Sequence, residues 1–140
     1  MRASDPMRVM IVDDSHEMRQ LIRQTLEPLT TDVVECSDGD EAVDAYSRHL
    51  PDWTVMDFRM QRVDGLTAIR ELRARWPSSR ILLLTAFESR AVQQSALQLG
   101  AACCLCKDDL WSLASLLGAP GVPSGLFGAA IESPGPAMPL

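Results

Sequence analysis

Five short apolar runs recur along the chain, and helical periodicities fill the spaces between them. The runs at residues 8–12, 32–36, 53–56, 80–84 and 102–106 predict β-strands. Short, nearly continuous apolar strands are what a parallel sheet covered on both faces requires. Met18, Leu21, Ile22, Thr25 and Leu26 fall on one helical face, and Ser15 stands where it can cap that helix. A second, shorter stripe of Ala42, Val43 and Tyr46 predicts a helix over 40–48. Leu66, Ile69, Leu72 and Trp76 predict a third helix, ended by Pro77. Val92, Ala96 and Leu99 mark a fourth, stopped by Gly100. Leu110, Leu113, Ala114 and Leu117 mark a fifth, stopped by Gly118.

Strand followed by helix, five times over, implies right-handed crossovers and a doubly wound (βα)5, flavodoxin-like α/β fold with helices on both faces of a five-stranded parallel sheet. Ligands of such sheets bind beyond the carboxyl ends of the strands, where the strand order reverses. Asp13, Asp14, Asp57, Thr85 and Lys107 all fall at or just past such ends.

The chain has 140 residues, enough for one core and too few for two ordinary domains. A net charge of −6 argues against nonspecific binding to nucleic acid. No apolar stretch approaches the roughly 18–20 residues needed to cross a bilayer, and residues 1–6 lack the apolar segment of a signal peptide. A cytoplasmic location with no membrane contact is the expectation. Cys103, Cys104 and Cys106 crowd one strand, where alternation sends Cys104 to the face opposite Cys103, and with Cys36 they read as small buried hydrophobes. Trp53, Trp76 and Trp111 are expected at strand or helix edges, His16 and His49 at the surface. Residues 118–140 hold five Gly and five Pro, with Glu132 as the one charged side chain. That composition predicts a flexible tail over 119–140, following a domain over 7–118. Residues 125–131 form an apolar patch within it.

Three carboxylates and one ammonium at a single sheet edge repel unless a cation joins them. Mg²⁺ suits an all-oxygen donor set and takes one or two carboxylates plus waters and phosphate oxygens. The set therefore points to metal-assisted phosphoryl transfer, with a carboxylate oxygen of Asp57 attacking in line while Lys107 and the metal offset charge on the transferred group.

Four segments carry a specific resemblance. Val9-Met10-Ile11-Val12-Asp13-Asp14-Ser15, then Met56-Asp57-Phe58-Arg59-Met60 with Asp64-Gly65, then Leu82-Leu83-Leu84-Thr85-Ala86, then Gly100-Ala101-Ala102 through Lys107 resemble, in order and spacing, the receiver domains of two-component response regulators. The likeness spans about residues 7–118. It implies that Asp57 accepts phosphate from a phosphohistidine on a sensor histidine kinase or phosphotransfer protein. It also implies that Asp14 binds Mg²⁺ directly, Asp13 largely through water, and the backbone carbonyl of Arg59 completes the protein ligands. Thr85 would move toward the phosphoryl oxygens and Lys107 would pair with them.

The chain departs from that pattern in places. Cys104 stands where the family usually carries an aromatic ring that swings inward with the threonine. Redox sensing at Cys104 and a small residue tolerated in the switch pocket are the two accounts of it. Asp108 replaces a common proline after the lysine, so a trans bond is expected. Gln61 replaces another proline, which should loosen the loop after Asp57. Arg59 and Phe87 occupy the family's lifetime-tuning positions; a cation and a bulky ring there imply a long-lived phosphoryl state, against a plain solvated charge and a packing ring. Arg62 is expected to be merely solvated.

The leading reading is a phosphorylation-dependent switch whose output is protein binding, as a monomer or weak dimer, through a face including Arg90, Gln93, Gln94, Cys104 and Trp111. No nucleic-acid contact is expected, since the tail supplies no helix-turn-helix. Three rivals remain: the receiver fragment of a longer DNA-binding regulator, a phosphate-independent scaffold, and an aspartyl-phosphate phosphatase. The last needs a second acid two residues after its nucleophile, and that position holds Arg59.

Overall fold

In the computed structural model, the structure describes residues 7–86 and 89–118. Five strands, β1 (Arg8–Val12), β2 (Asp32–Cys36), β3 (Trp53–Asp57), β4 (Ile81–Thr85) and β5 (Cys103–Cys106), form one parallel sheet in the order β2-β1-β3-β4-β5. Helices α1 (His16–Leu26), α2 (Ala42–His49), α3 (Gly65–Arg75), α4 (Arg90–Leu99) and α5 (Leu113–Gly118) connect and cover it. This is the doubly wound, flavodoxin-like (βα)5 fold expected, and the strand order reverses between β1 and β3.

Alternation along each strand builds two cores. Val9, Ile11, Trp53, Val55, Leu82, Leu84, Cys103 and Leu105 pack on one face beneath Ile22 and Leu26 of α1 and Leu113 and Leu117 of α5. Met10, Val12, Met56, Ile81, Leu83 and Cys104 pack on the other beneath α2, α3 and α4. Cys104 thus lies on the face opposite Cys103, as alternation requires. All four cysteines are buried thiols. Burial pushes Cys36 and Cys103 up to about 12, which leaves them protonated and inert at neutral pH.

The ends of the helices follow local chemistry. Ser15, Asp64 and Ser89 cap α1, α3 and α4, accepting from the N–H groups of Met18, Thr67 and Val92. Gly100 ends α4 at φ 111°, a left-handed conformation that favours glycine.

Some expectations shift. β3 and β4 each run one residue beyond the apolar stretch, to the buried Asp57 and Thr85, because ladder pairing with Leu84 and Cys106 continues past the last apolar side chain. The second helix opens with a 3-10 turn, Gly39–Glu41, and the fifth is preceded by a 3-10 segment, Lys107–Ser112, interrupted at Asp109. Leu21 is 46% exposed: Ile22 and Leu26 take the inward line, and a neighbour sits about 100° around the helix. Trp53 and Trp111 correct the expectation most, whereas Trp76 meets it at the end of α3. Trp53 is 1% exposed, roofed by the Arg80 guanidinium 5.0 Å from its ring, because β3 is the central strand. Trp76 packs on Tyr46 at 4.5 Å, whereas Trp111 is 78% exposed in the 3-10 segment, out of register with Leu110 and Leu113. Arg62 is ion-paired, its Nε 2.7 Å from Asp40, rather than merely solvated. His16 is exposed and His49 half-buried. No peptide bond is cis among the described residues, so Lys107–Asp108 is trans. The expected tail at 119–140, its patch at 125–131 and Phe87 lie outside the described residues.

Candidate functional site

Parallel strands deliver their carboxyl ends to one edge, and β1, β3 and β5 deliver acids and a base there. Ligand oxygens of Asp13, Asp14 and Asp57 lie within 4.8 Å of one another. Lys107, immediately after β5, sets its Nζ 3.0 Å from Asp57 Oδ1 and 3.6 Å from Asp13 Oδ2. Asp13 and Asp57 are buried, and Asp14 is exposed. An open pocket of about 280 Å³ exposes the cluster, with Ser15, Met18, Phe58, Arg59 and Ala86 completing its wall.

Charge in that pocket is unbalanced. Burial is the largest influence on Asp57 and pushes its pKa up to about 6, against the downward pull of its hydrogen bond to Lys107, with Asp13 and Asp14 adding to the rise. Burial likewise holds Asp13 above the usual carboxylate range, despite the Ser15 N–H and Lys107. Burial works to lower the Lys107 ammonium, but its hydrogen bond to Asp57 and the charges of Asp57 and Asp13 outweigh it, so Lys107 titrates above its ordinary value. Asp13 Oδ1 accepts from the Ser15 N–H at 2.8 Å, whereas its Oδ2 is buried and, among the described residues, has the Lys107 ammonium at 3.6 Å but no hydrogen bond. A buried carboxylate oxygen that Lys107 approaches only to 3.6 Å, among oxygen ligands carrying net negative charge, fits a hard divalent cation.

The other expected residues fall around this cluster. Arg59 lines the pocket with its side chain exposed, the guanidinium 5.9 Å from the Phe58 ring. Thr85 is buried at the end of β4, paired in register with Cys106, and Ala86 rather than Thr85 reaches the pocket wall. Cys104 is 2% exposed, its Sγ 3.9 Å from the Gln93 carbonyl of α4. It therefore does not belong to the surface formed by Arg90, Gln94 and Trp111, because β5 is covered on that side by α4.

Two residues near the site were not anticipated. Arg19 donates from Nη1 to the Asp13 carbonyl at 2.6 Å and from Nε to Glu35 at 2.8 Å. Asp38, in the turn after β2, is buried and accepts from the backbone of the loop that follows Asp57. An Asp-Gly pair just past β2, at the same sheet edge as Asp13-Asp14, was the available sign of the second.

A doubly wound sheet with clustered acids and a lysine at its carboxyl edge is the arrangement of signalling receivers. The family model for the response regulator receiver domain matches residues 9–116. Chemotaxis protein CheY of Bacillus subtilis (strain 168) is 36% identical over 95 residues, covering 67% of this chain and 79% of that protein. Response regulator MprA of Mycobacterium sp. (strain KMS) is 36% identical over 96 residues, 69% of this chain but 42% of MprA. The solved structure of Vibrio cholerae chemotaxis protein CheY4 superposes with a TM-score of 0.75 at 27% identity, over 81% of this chain and 97% of that one. The chain belongs to the response regulator receiver domain family of two-component systems. Receiver domains are signalling proteins that bind Mg²⁺ at an acidic pocket and interact with histidine kinases or phosphotransfer proteins.

Proposed function

We propose that this chain is a phosphorylation-dependent switch that accepts a phosphoryl group on Asp57 and signals through protein–protein contacts. The observation that carries the reading is the packing of three carboxylates within 4.8 Å, with Lys107 3.0 Å from Asp57, at an open pocket. Asp13, Asp14, Asp57 and the Arg59 carbonyl are the proposed ligands for Mg²⁺. Bound there, the ion supplies positive charge to the equatorial oxygens of a phosphoryl group in transfer.

The chain's own residues do the rest. An ionised oxygen of Asp57 attacks phosphorus in line, the new O–P bond forms as the P–N bond to a phosphohistidine breaks, and the imidazole leaves with the electron pair. Lys107 exchanges its contact with Asp57 for one with a phosphoryl oxygen. The small Ala86 leaves room for the group, and Thr85 turns its hydroxyl toward it. Arg59 at the pocket wall shields the acyl phosphate from water, favouring a long-lived phosphoryl state. A histidine kinase or phosphotransfer protein is the proposed donor partner, and a further protein the target.

Intact mass after incubation with Mg²⁺ and a donor, either acetyl phosphate or a phosphorylated histidine kinase, tests the reading. Wild type should gain one phosphoryl mass, and Asp57→Asn none. No adduct from either donor favours a phosphate-independent scaffold, while continuous turnover of phosphomonoesters points to a phosphatase. Loss of the adduct within seconds in Mg²⁺ counts against a long-lived state. The 42% share of MprA that is matched supports a second reading, a receiver portion of a longer regulator; the size of the native protein on an immunoblot distinguishes them.

A further inference from the structure

The loop leaving Asp57 carries Phe58 and Arg59 into the pocket, yet much of what holds it comes from outside. Asp38 is 2% exposed. Its Oδ2 accepts from the Arg62 N–H at 2.9 Å, and its Oδ1 from the Val63 N–H at 2.8 Å and, more weakly, the Asp40 N–H at 3.5 Å. Beside it the two loops touch backbone to backbone: a Cβ on Gly39 would lie 2.6 Å from the Val63 carbonyl. Further along, the Gly65 N–H donates to the Phe58 carbonyl at 2.8 Å. The loop is closed on itself at one end and tied to the turn after β2 in its middle.

We propose that Asp38 is a positioning residue for the phosphoacceptor loop, its buried carboxylate holding the Arg62 and Val63 amides and through them the Arg59 backbone. The inference rests on reading Asp57 as the Mg²⁺-dependent acceptor. Hydrogen bonds to an ionised acceptor are roughly twice as strong as neutral ones. A buried carboxylate cannot leave its donors without an uncompensated charge, so the tie is stiff. This explains how a loop with Gln61, which imposes no φ, stays in place. The ion pairs of the Arg62 side chain with Asp40 and Glu41 are exposed and contribute little by comparison.

The test is calorimetric titration with Mg²⁺, paired with amide hydrogen exchange at Arg62 and Val63, on the full chain and four variants. Asp38→Ala should weaken Mg²⁺ binding on the order of 10-fold, the scale for residues that orient metal ligands. Asp38→Asn keeps the shape and one acceptor and should fall between it and wild type. Gly39→Ala, which pushes on the Val63 carbonyl, should act in the same direction. Arg62→Ala keeps its backbone N–H and should stay within about twofold of wild type. Faster exchange at Arg62 and Val63 should accompany each loss. Wild-type affinity and exchange in the Asp38 variants overturn the proposal, as does an equal loss in Arg62→Ala. If Asp38→Ala does not fold, Asp38→Asn decides. If wild type takes no Mg²⁺, the reading of Asp57 fails, and exchange at Arg62 and Val63 in Asp38→Asn still decides the tie: unchanged rates overturn it, faster rates support it.

Discussion

Asp57→Asn should stabilise the metal-free protein, and only where the carboxylate is ionised. Burial first, with Asp13 and Asp14 adding and Lys107 opposing, raises Asp57 from 3.8 to about 6. Between those values the folded protein keeps a proton that the unfolded chain has lost. This group therefore leaves stability level below about pH 4, reduces it as pH rises toward 6, and has its full effect above that. Two pH units at about 1.4 kcal/mol each put the destabilisation near 3 kcal/mol at pH 7.5. Asparagine keeps the shape and cannot ionise. The asparagine oxygen can still accept from Lys107, which also retains Asp13 at 3.6 Å, but that bond weakens without the carboxylate's charge, which returns part of the gain. A net gain of about 1–2 kcal/mol remains, or roughly 5–10 °C in Tm for a domain of this size. Thermal unfolding by far-UV circular dichroism in EDTA, at pH 7.5 and pH 4, measures it. The gain should be present at pH 7.5 and mostly gone at pH 4. Saturating Mg²⁺ should reverse the order, since a ligand at 100 times its Kd adds about 2.7 kcal/mol to the wild type that binds it. A variant less stable than wild type at pH 7.5, or one with the same gain at both pH values, would refute the account of a strained, uncompensated carboxylate.

Lys107→Met removes the cation between Asp57 and Asp13 and should cost about 1–3 kcal/mol at pH 7.5 without metal, by urea denaturation. That cost should shrink in the Asp57→Asn background; an unchanged cost in the double-mutant cycle would make it packing rather than charge. Gly65→Ala forces a Cβ to within 2.3 Å of the Asp57 carbonyl, so a loss of about 1–3 kcal/mol and weaker Mg²⁺ binding should appear together in melting and calorimetry. Trp111→Ala removes an exposed ring and should change stability by less than about 0.5 kcal/mol. A slower phosphotransfer from a kinase by that variant, at unchanged Tm, would place Trp111 in a partner contact.

Much of the site was legible because a parallel sheet converts sequence position into place. Asp13, Asp14, Asp57 and Lys107 each follow an apolar run, and strands running one way bring all such ends together. The capping of α1 by Ser15 and the stop at Gly100 were legible for a similar reason, being local chemistry of one or two residues. Arg19, Asp38 and Arg62 were not, because the partners that matter lie 6 to 25 residues away and depend on which loops meet. Trp53 and Trp111 misled because a large amphipathic ring suits an edge, a core or a surface equally well. Only the strand order decides that Trp53 is central.

By itself the sequence determined the alternation of strand and helix, the doubly wound fold and the residues at the carboxyl edge, since periodicity and burial are properties of short segments. The tertiary structure decided the raised pKa of Asp57, the buried Asp13 Oδ2 that Lys107 approaches only to 3.6 Å, the burial of Cys104 and the tie from Asp38 to the loop. Each of these depends on distance and solvent exclusion between segments remote in the chain, and no local pattern carries that information.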